Sequence, residues 1–173
     1  MLRIGVATLA TLAAPALLSA CSPAALAMPA FDSMASALKT LEALKRAAPR
    51  MAGAWDLSQV LHHAAQSVEY SLTGFPTPKP AWFRATVGPA AFSVFSARGR
   101  MSHALDEPIP GAPAIARGQP LEPAVDRVIA ALQAFEAHAG ALAPHFAYGA
   151  LDKPSYARAH LMHLANHWQE AVA

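Results

Sequence analysis

Residues 56–74, DLSQVLHHAAQSVEYSLTG, read as one amphipathic helix, and the fold follows from that reading. Asp56 followed three residues later by Gln59 is close to a capping box, Trp55 just before it can staple onto Val60, and Gly74 supplies the stop. Leu57, Val60, Leu61, Ala64 and Val68 form a stripe at helical rather than strand spacing. A stripe of that kind needs a partner of the same kind to cover it.

The chain after residue 31 supplies such partners. Asp32 or Ser33 can cap a helix carrying Met34, Leu38, Leu41 and Leu44, with Pro49 marking its end. A third helix is expected from Ala81 to Ala97, kinked at Gly88 and Pro89 and stopped by Gly99. From Asp106 to Pro123 the chain holds Pro108, Pro110, Gly111, Pro113, Gly118, Pro120 and Pro123, which forbids regular structure for most of that length; its low charge favours packing over disorder. Pro123 suits the first turn of a fourth helix with Val125, Val128, Ile129, Leu132 and Phe135, ending before Gly140. A last helix starts near Pro154 and runs almost to the C-terminus through Leu161, Leu164 and Trp168. The expectation is an all-α fold: a four-helix bundle, residues 32–173, with a long Pro-rich loop between its third and fourth long helices.

Composition agrees with one such domain. The 173 residues are 54% hydrophobic and 14% charged, with one cysteine, which excludes collagen-like, disulfide-stapled and highly charged disordered chains. A formal charge of +2 gives no nucleic-acid footprint. Residues 1–20 read as an export signal: Arg3 is the positive n-region, and Ile4 to Leu18 is an uncharged apolar run broken by Pro15, too short to span a bilayer. Leu18-Ser19-Ala20-Cys21 resembles the lipobox of bacterial lipoproteins, with Cys21 as the lipid acceptor and residues 21–31 as linker. Ala25-Leu26-Ala27 offers an ordinary cleavage site that would release a soluble periplasmic protein instead. The lipidated form is favoured because the sole cysteine falls where lipidation needs it. The domain would then be held on the envelope facing the periplasm, with the outer membrane preferred because Ser22 is not acidic.

The chemistry concentrates in histidines. His160, His163 and His167 lie within about 60° of one another on the last helix, beside its apolar stripe. The His163/His167 pair has the i, i+4 spacing that lets two imidazoles share one ion at about 2.0–2.1 Å. It is not the HExxH protease motif, since Leu164 stands where the glutamate would be. A third ligand has to come from another helix, where His62 and His63 stand side by side; His63 is favoured because Ala64 and Ser67 leave room beside it. His103 and His138 read as hydrogen-bonded packing residues. Glu170, one turn beyond His167, is a solvated carboxylate near the C-terminus or an orienting partner for a ligand ring. Tyr70, Trp82, Phe83, Phe92, Phe95, Phe146 and Tyr148 read mainly as core, with the Pro- and Gly-flanked loop carrying His145, Phe146 and Tyr148 as the rim of any pocket.

Trp55, Asp56, Val60, Leu61 and His63 in one helix, followed by His163 and His167 in the last, resemble the DinB-like (YfiT-like) four-helix metalloprotein superfamily. Within it, QSVEYSLTGFP (66–76), PIPGAP (108–113) and PHFAYG (144–149) look like an exported branch described as a domain of unknown function. The resemblance implies a divalent metal, zinc or nickel, held by His63, His163 and His167, with His160 as a fourth ligand or a supporting partner. Similar members transfer low-molecular-weight thiols to electrophiles, a chemistry that fits an envelope location poorly because such thiols are mainly cytosolic.

Three imidazoles leave a fourth position on zinc where water or a thiol is activated. The expected function is therefore a metal-dependent transferase or hydrolase acting on a small molecule. The alternative is a non-catalytic envelope lipoprotein that binds metal or docks a partner through its PIPGAP loop. The expected partners are a small molecule, a membrane reached through the lipid anchor, and a second copy of the chain.

Overall fold

The computed structural model describes residues 31–172, so the expected export signal, Cys21 and both expected cleavage points lie outside the described residues. The described chain is mostly helical. Its elements are α1 (Met34–Ala43), β1 (Arg50–Met51), α2 (Leu57–Thr73), α3 (Ala81–Ala85), α4 (Val87–Arg98), α5 (Leu121–Ala137), α6 (Lys153–His167), a 3-10 turn (Trp168–Glu170) and β2 (Ala171–Val172).

Local chemistry accounts for most of the boundaries. Ser33, rather than Asp32, caps α1, accepting from Ser36 N while the Ser36 hydroxyl accepts from Ser33 N. Asp56 and Gln59 close a full capping box on α2. Gly99 ends α4 at φ +65°, a left-handed conformation that glycine adopts without a Cβ clash. Asp152 caps α6 through Ser155 N, with Pro154 in the first turn.

Three expectations need correction. The helix expected as one kinked piece from Ala81 to Ala97 is two helices, broken at Thr86 rather than at Gly88. The proline ring at 89 has no N–H to give to the carbonyl four residues back, Ala85, and crowds it, so the ladder fails one turn upstream of the proline. The first helix stops at Ala43, well before Pro49. The last helix does not run on to the terminus: it tightens into the 3-10 turn and then pairs as β2, antiparallel to β1, with Arg50 opposite Val172 and Met51 opposite Ala171.

The core lies between α1, α2, α5 and α6. Leu41, Leu61, Val125, Val128, Leu132 and Tyr156 are fully buried there, each large apolar side chain contributing about 1.5–3 kcal/mol by leaving water. Phe31 packs edge-on against Trp168 at 5.5 Å and so joins the core from outside the helices. Two ion pairs tie α5 to its neighbours: Arg127 is bidentate to Glu69 on α2, and Lys45, just past α1, meets Asp126. α2 is buried on nearly all sides because the Pro-rich segment lies over the face that the other helices leave open. Gln59 Nε2 donates to Ile115 O and Gln66 Nε2 to Pro113 O, while Asp56 Oδ2 accepts from Gly118 N.

Asp56 thus holds both a helix end and a loop. Asp56→Ala is expected to cost about 2–3 kcal/mol, a lost cap plus a lost charge-assisted bond. Thermal melting should show this as a fall of roughly 5–10 °C. Asp56→Asn, which keeps one acceptor, should lose about half as much.

Candidate metal centre

α2 and α6 cross so that His63 meets His163 and His167. His63 Nε2 and His167 Nε2 each lie 3.1 Å from His163 Nε2. The ligand atoms of the three residues all fall within 4.8 Å of one another, and these three residues could hold a metal ion. His63 and His167 are buried, and His163 is partly exposed.

The donor set tests whether an ion fits. Burial is the main cause holding these rings neutral: it pushes His63 down to about 4 and His167 to about 3, and sets His163 well below the usual histidine range, with the neighbouring imidazoles adding to the effect. A neutral imidazole nitrogen has either one proton or one lone pair. His163 Nε2 faces two other Nε2 atoms and can make a full hydrogen bond with only one. Three lone pairs around one cation remove that conflict, and two nitrogens at 2.0–2.1 Å from a tetrahedral ion stand about 3.3–3.4 Å apart, close to the spacing found.

Trp55 positions the rings. Its indole meets His63 edge-on at 5.0 Å and stacks parallel to His167 at 6.1 Å. Nδ1 of both histidines is buried with no hydrogen-bond partner, so on that side of each ring aromatic packing does the orienting. Glu170 does not take that role: its carboxyl lies over Gly53, where any Cβ would collide with it, and its backbone oxygen accepts from Ala52 N.

The remaining histidines separate cleanly. His62 is turned to α5, where its Nδ1 accepts from Arg127 Nη1 at 3.3 Å, which resolves the choice between the neighbours in favour of His63. His160 is not part of the cluster. Its Nε2 lies 3.3 Å from Ser71 Oγ, and its ring stacks on Tyr156. His138 is half-buried, and its Nε2 lies 3.3 Å from Ala141 O. His103 departs from the expectation of a simple packing residue: its ring centroid lies 5.0 Å from that of His163 and 5.2 Å from that of His167, with Nδ1 bonded to Ala104 O at 2.7 Å. No periodicity could have shown this, because His103 sits in a segment without regular structure.

A cavity of about 270 Å³ opens beside the cluster, and His63 and His163 form part of its wall. Met101 to Ala104, Glu107 to Pro110 and His145 to Tyr148 line the rest together with Phe95, Lys79 and residues of α2 and α6. Of the aromatics singled out in the sequence, Phe95, Phe146 and Tyr148 line it, Phe92 packs against Tyr148, and Trp82 is largely exposed.

Comparison with curated proteins and with solved structures gives no match. The model of a family described as "Protein of unknown function (DUF1569)" matches residues 25–173, which takes in every helix of the described residues, all three clustered histidines and the cavity walls. The chain belongs to the DUF1569 family.

Proposed function

We propose that the chain is an exported, divalent-metal-binding four-helix bundle of the DinB-like (YfiT-like) kind that acts as a metal-dependent transferase or hydrolase on a small molecule. The observation that supports this reading best is the meeting of three neutral Nε2 atoms at the wall of a cavity. Zinc or nickel suits such a set. When bound, the ion supplies Lewis acidity, raising the acidity of whatever oxygen or sulfur group takes its free position.

The chain's own residues do the rest. His63, His163 and His167 hold the ion, with the first two at the cavity face. Trp55 keeps two of the rings in place, and His160, engaged with Ser71, leaves the fourth direction to a small molecule. The segments 107–110 and 145–148 wall the cavity. Among the described residues no helix is long and apolar enough to cross a membrane. In this proposal envelope attachment therefore rests on lipidation of Cys21, with cleavage after Ala27 giving a soluble periplasmic form.

His103 favours a second reading. If its imidazole closes the coordination sphere, the site is saturated and the protein stores or senses metal without catalysis.

Elemental analysis of the purified protein tests the proposal. One zinc or nickel per chain is expected, and none in His63→Ala protein that keeps its helical circular dichroism. A wild-type protein that takes up no divalent ion on addition would overturn it.

A further inference from the structure

The cavity contains two histidines that the metal reading leaves unused, His145 and His160. Their hydrogen bonds fix which nitrogen carries the proton. His145 Nδ1 accepts from the backbone N–H groups of Ala147 and Tyr148, both at 3.1 Å. A nitrogen that accepts is unprotonated, so the proton of the neutral ring is on Nε2. The ring lies parallel to Tyr148 at 4.3 Å and cannot flip without losing both bonds.

His160 is decided by Ser71. The serine hydroxyl gives its proton to Val68 O at 2.6 Å, so towards His160 Nε2, at 3.3 Å, its oxygen accepts. Nε2 of His160 therefore carries the proton, and Nδ1 is a bare acceptor. Both rings pack on Tyr156, with centroids 6.1 and 5.4 Å from it. The cavity wall thus includes two imidazoles of fixed tautomer, His145 with its proton on Nε2 and His160 with its bare nitrogen at Nδ1, among the apolar side chains of Phe95, Met101, Ile109 and Phe146.

The loop that presents His145 is held by close backbone contact. Gly88 of α4 lies against the Ala147 carbonyl and Gly149 against the Arg84 carbonyl, where any Cβ would collide, and Lys79 N donates to Phe146 O. Donor and acceptor are therefore set before a ligand arrives, which lowers the cost of ordering them on binding.

The geometry points to a ligand subsite for a small neutral molecule with an apolar body and a head that both accepts and donates a hydrogen bond, as a primary carboxamide does. Its carbonyl oxygen takes the His145 Nε2–H, and its N–H goes to His160 Nδ1. A charged head is disfavoured on two grounds. Burial holds both imidazoles at about 3, so neither carries a positive charge to meet an anion, and a buried ion without a partner is costly. The two charged residues of the lining, Lys79 and Glu107, are exposed and of opposite sign. The size limits the body to about one substituted ring, below the usual range of roughly 300–1,000 Å³ for small-molecule pockets.

This inference rests on the proposed function only in placing the ligand in the same cavity as His63 and His163. Long-range nitrogen–proton correlation spectra of isotope-labelled protein, with and without zinc, read the tautomers directly. Titration of the zinc-free protein with benzamide, benzoate and benzylamine then reads the preference of the two imidazoles, since a bound ion at His63 and His163 would itself attract a carboxylate. The expected result is Nε2–H at both histidines, both imidazoles shifted by benzamide, and at least about tenfold weaker binding of the two charged analogues. His160→Phe protein that keeps its helical circular dichroism should bind benzamide about tenfold more weakly, because the amide N–H loses its acceptor. An Nδ1–H tautomer at His145, benzoate or benzylamine binding as well as benzamide, or benzamide leaving both rings unmoved would overturn it. A protein that binds no ion would sink the metal proposal while leaving these spectra readable, so the two failures are distinguishable.

Discussion

His163→Ala is expected to weaken divalent-ion binding by about two to three powers of ten, the largest loss of any single imidazole. Structural zinc sites bind with roughly 10–16 kcal/mol spread over four ligands, so one ligand accounts for about 3–4 kcal/mol, and each 1.4 kcal/mol is tenfold in affinity. His163 is the severest case because its Nε2 is the atom both other Nε2 atoms approach at 3.1 Å. Competition against a chromophoric chelator measures the change. The informative control is His103→Ala. With Nδ1 committed to Ala104 O and its ligand atoms outside the three-residue group, His103 is expected to contribute less than about tenfold, the scale of a residue near a metal rather than on it. Equal losses at 103 and 163 would mean a four-imidazole, saturated site, and the catalytic reading would give way to storage or sensing.

The residues legible from sequence are those whose signal is local. The capping box at Asp56 and Gln59, the stop at Gly99 and the i, i+4 pair His163/His167 each depend on neighbours within a turn, and the coordinates place them as read. What stayed hidden depends on distant chain. The choice between His62 and His63 is made by Arg127 on α5, and the withdrawal of His160 from the cluster is made by Ser71 on α2. On a helical wheel His160 shares a strip with His163 and His167, and nothing in the wheel says which way its ring turns. His103 reaches the cluster because the irregular segment after α4 folds back over α6, and an aperiodic segment carries no spacing to read. The two-residue strands β1 and β2 are too short to show alternation. Three stretches that suggested the family, 66–76, 108–113 and 144–149, are distant in sequence yet each lends residues to the same cavity wall.

Acid should unfold the metal-free protein in a window set by its buried histidines. Burial lowers His145 and His160 from 6.5 to about 3, and they are 8% and 3% exposed, so solvent screens little of that shift. In the unfolded chain both titrate near 6.5. Below that pH the unfolded state binds protons that the folded state refuses, so stability falls as pH falls. The contribution is intact above 6.5, drains away between 6.5 and about 3, and is gone below. At pH 4.5 the solution is about two units below each group's unfolded pKa, worth about 2.7 kcal/mol apiece. A combined loss of roughly 5 kcal/mol is comparable to the whole stability of a marginal domain. His63 and His167, lowered by the same burial, act in the same direction. Urea denaturation of chelator-treated protein should therefore show its midpoint collapsing between pH 6.5 and 4.5. Added zinc should hold the midpoint up at pH 7 and lose that effect on acidification, because protonating the ligands releases the ion. Equal stability at pH 7 and pH 4.5 would show that these rings accept protons within the fold, which would also remove the neutral-imidazole premise of the metal site.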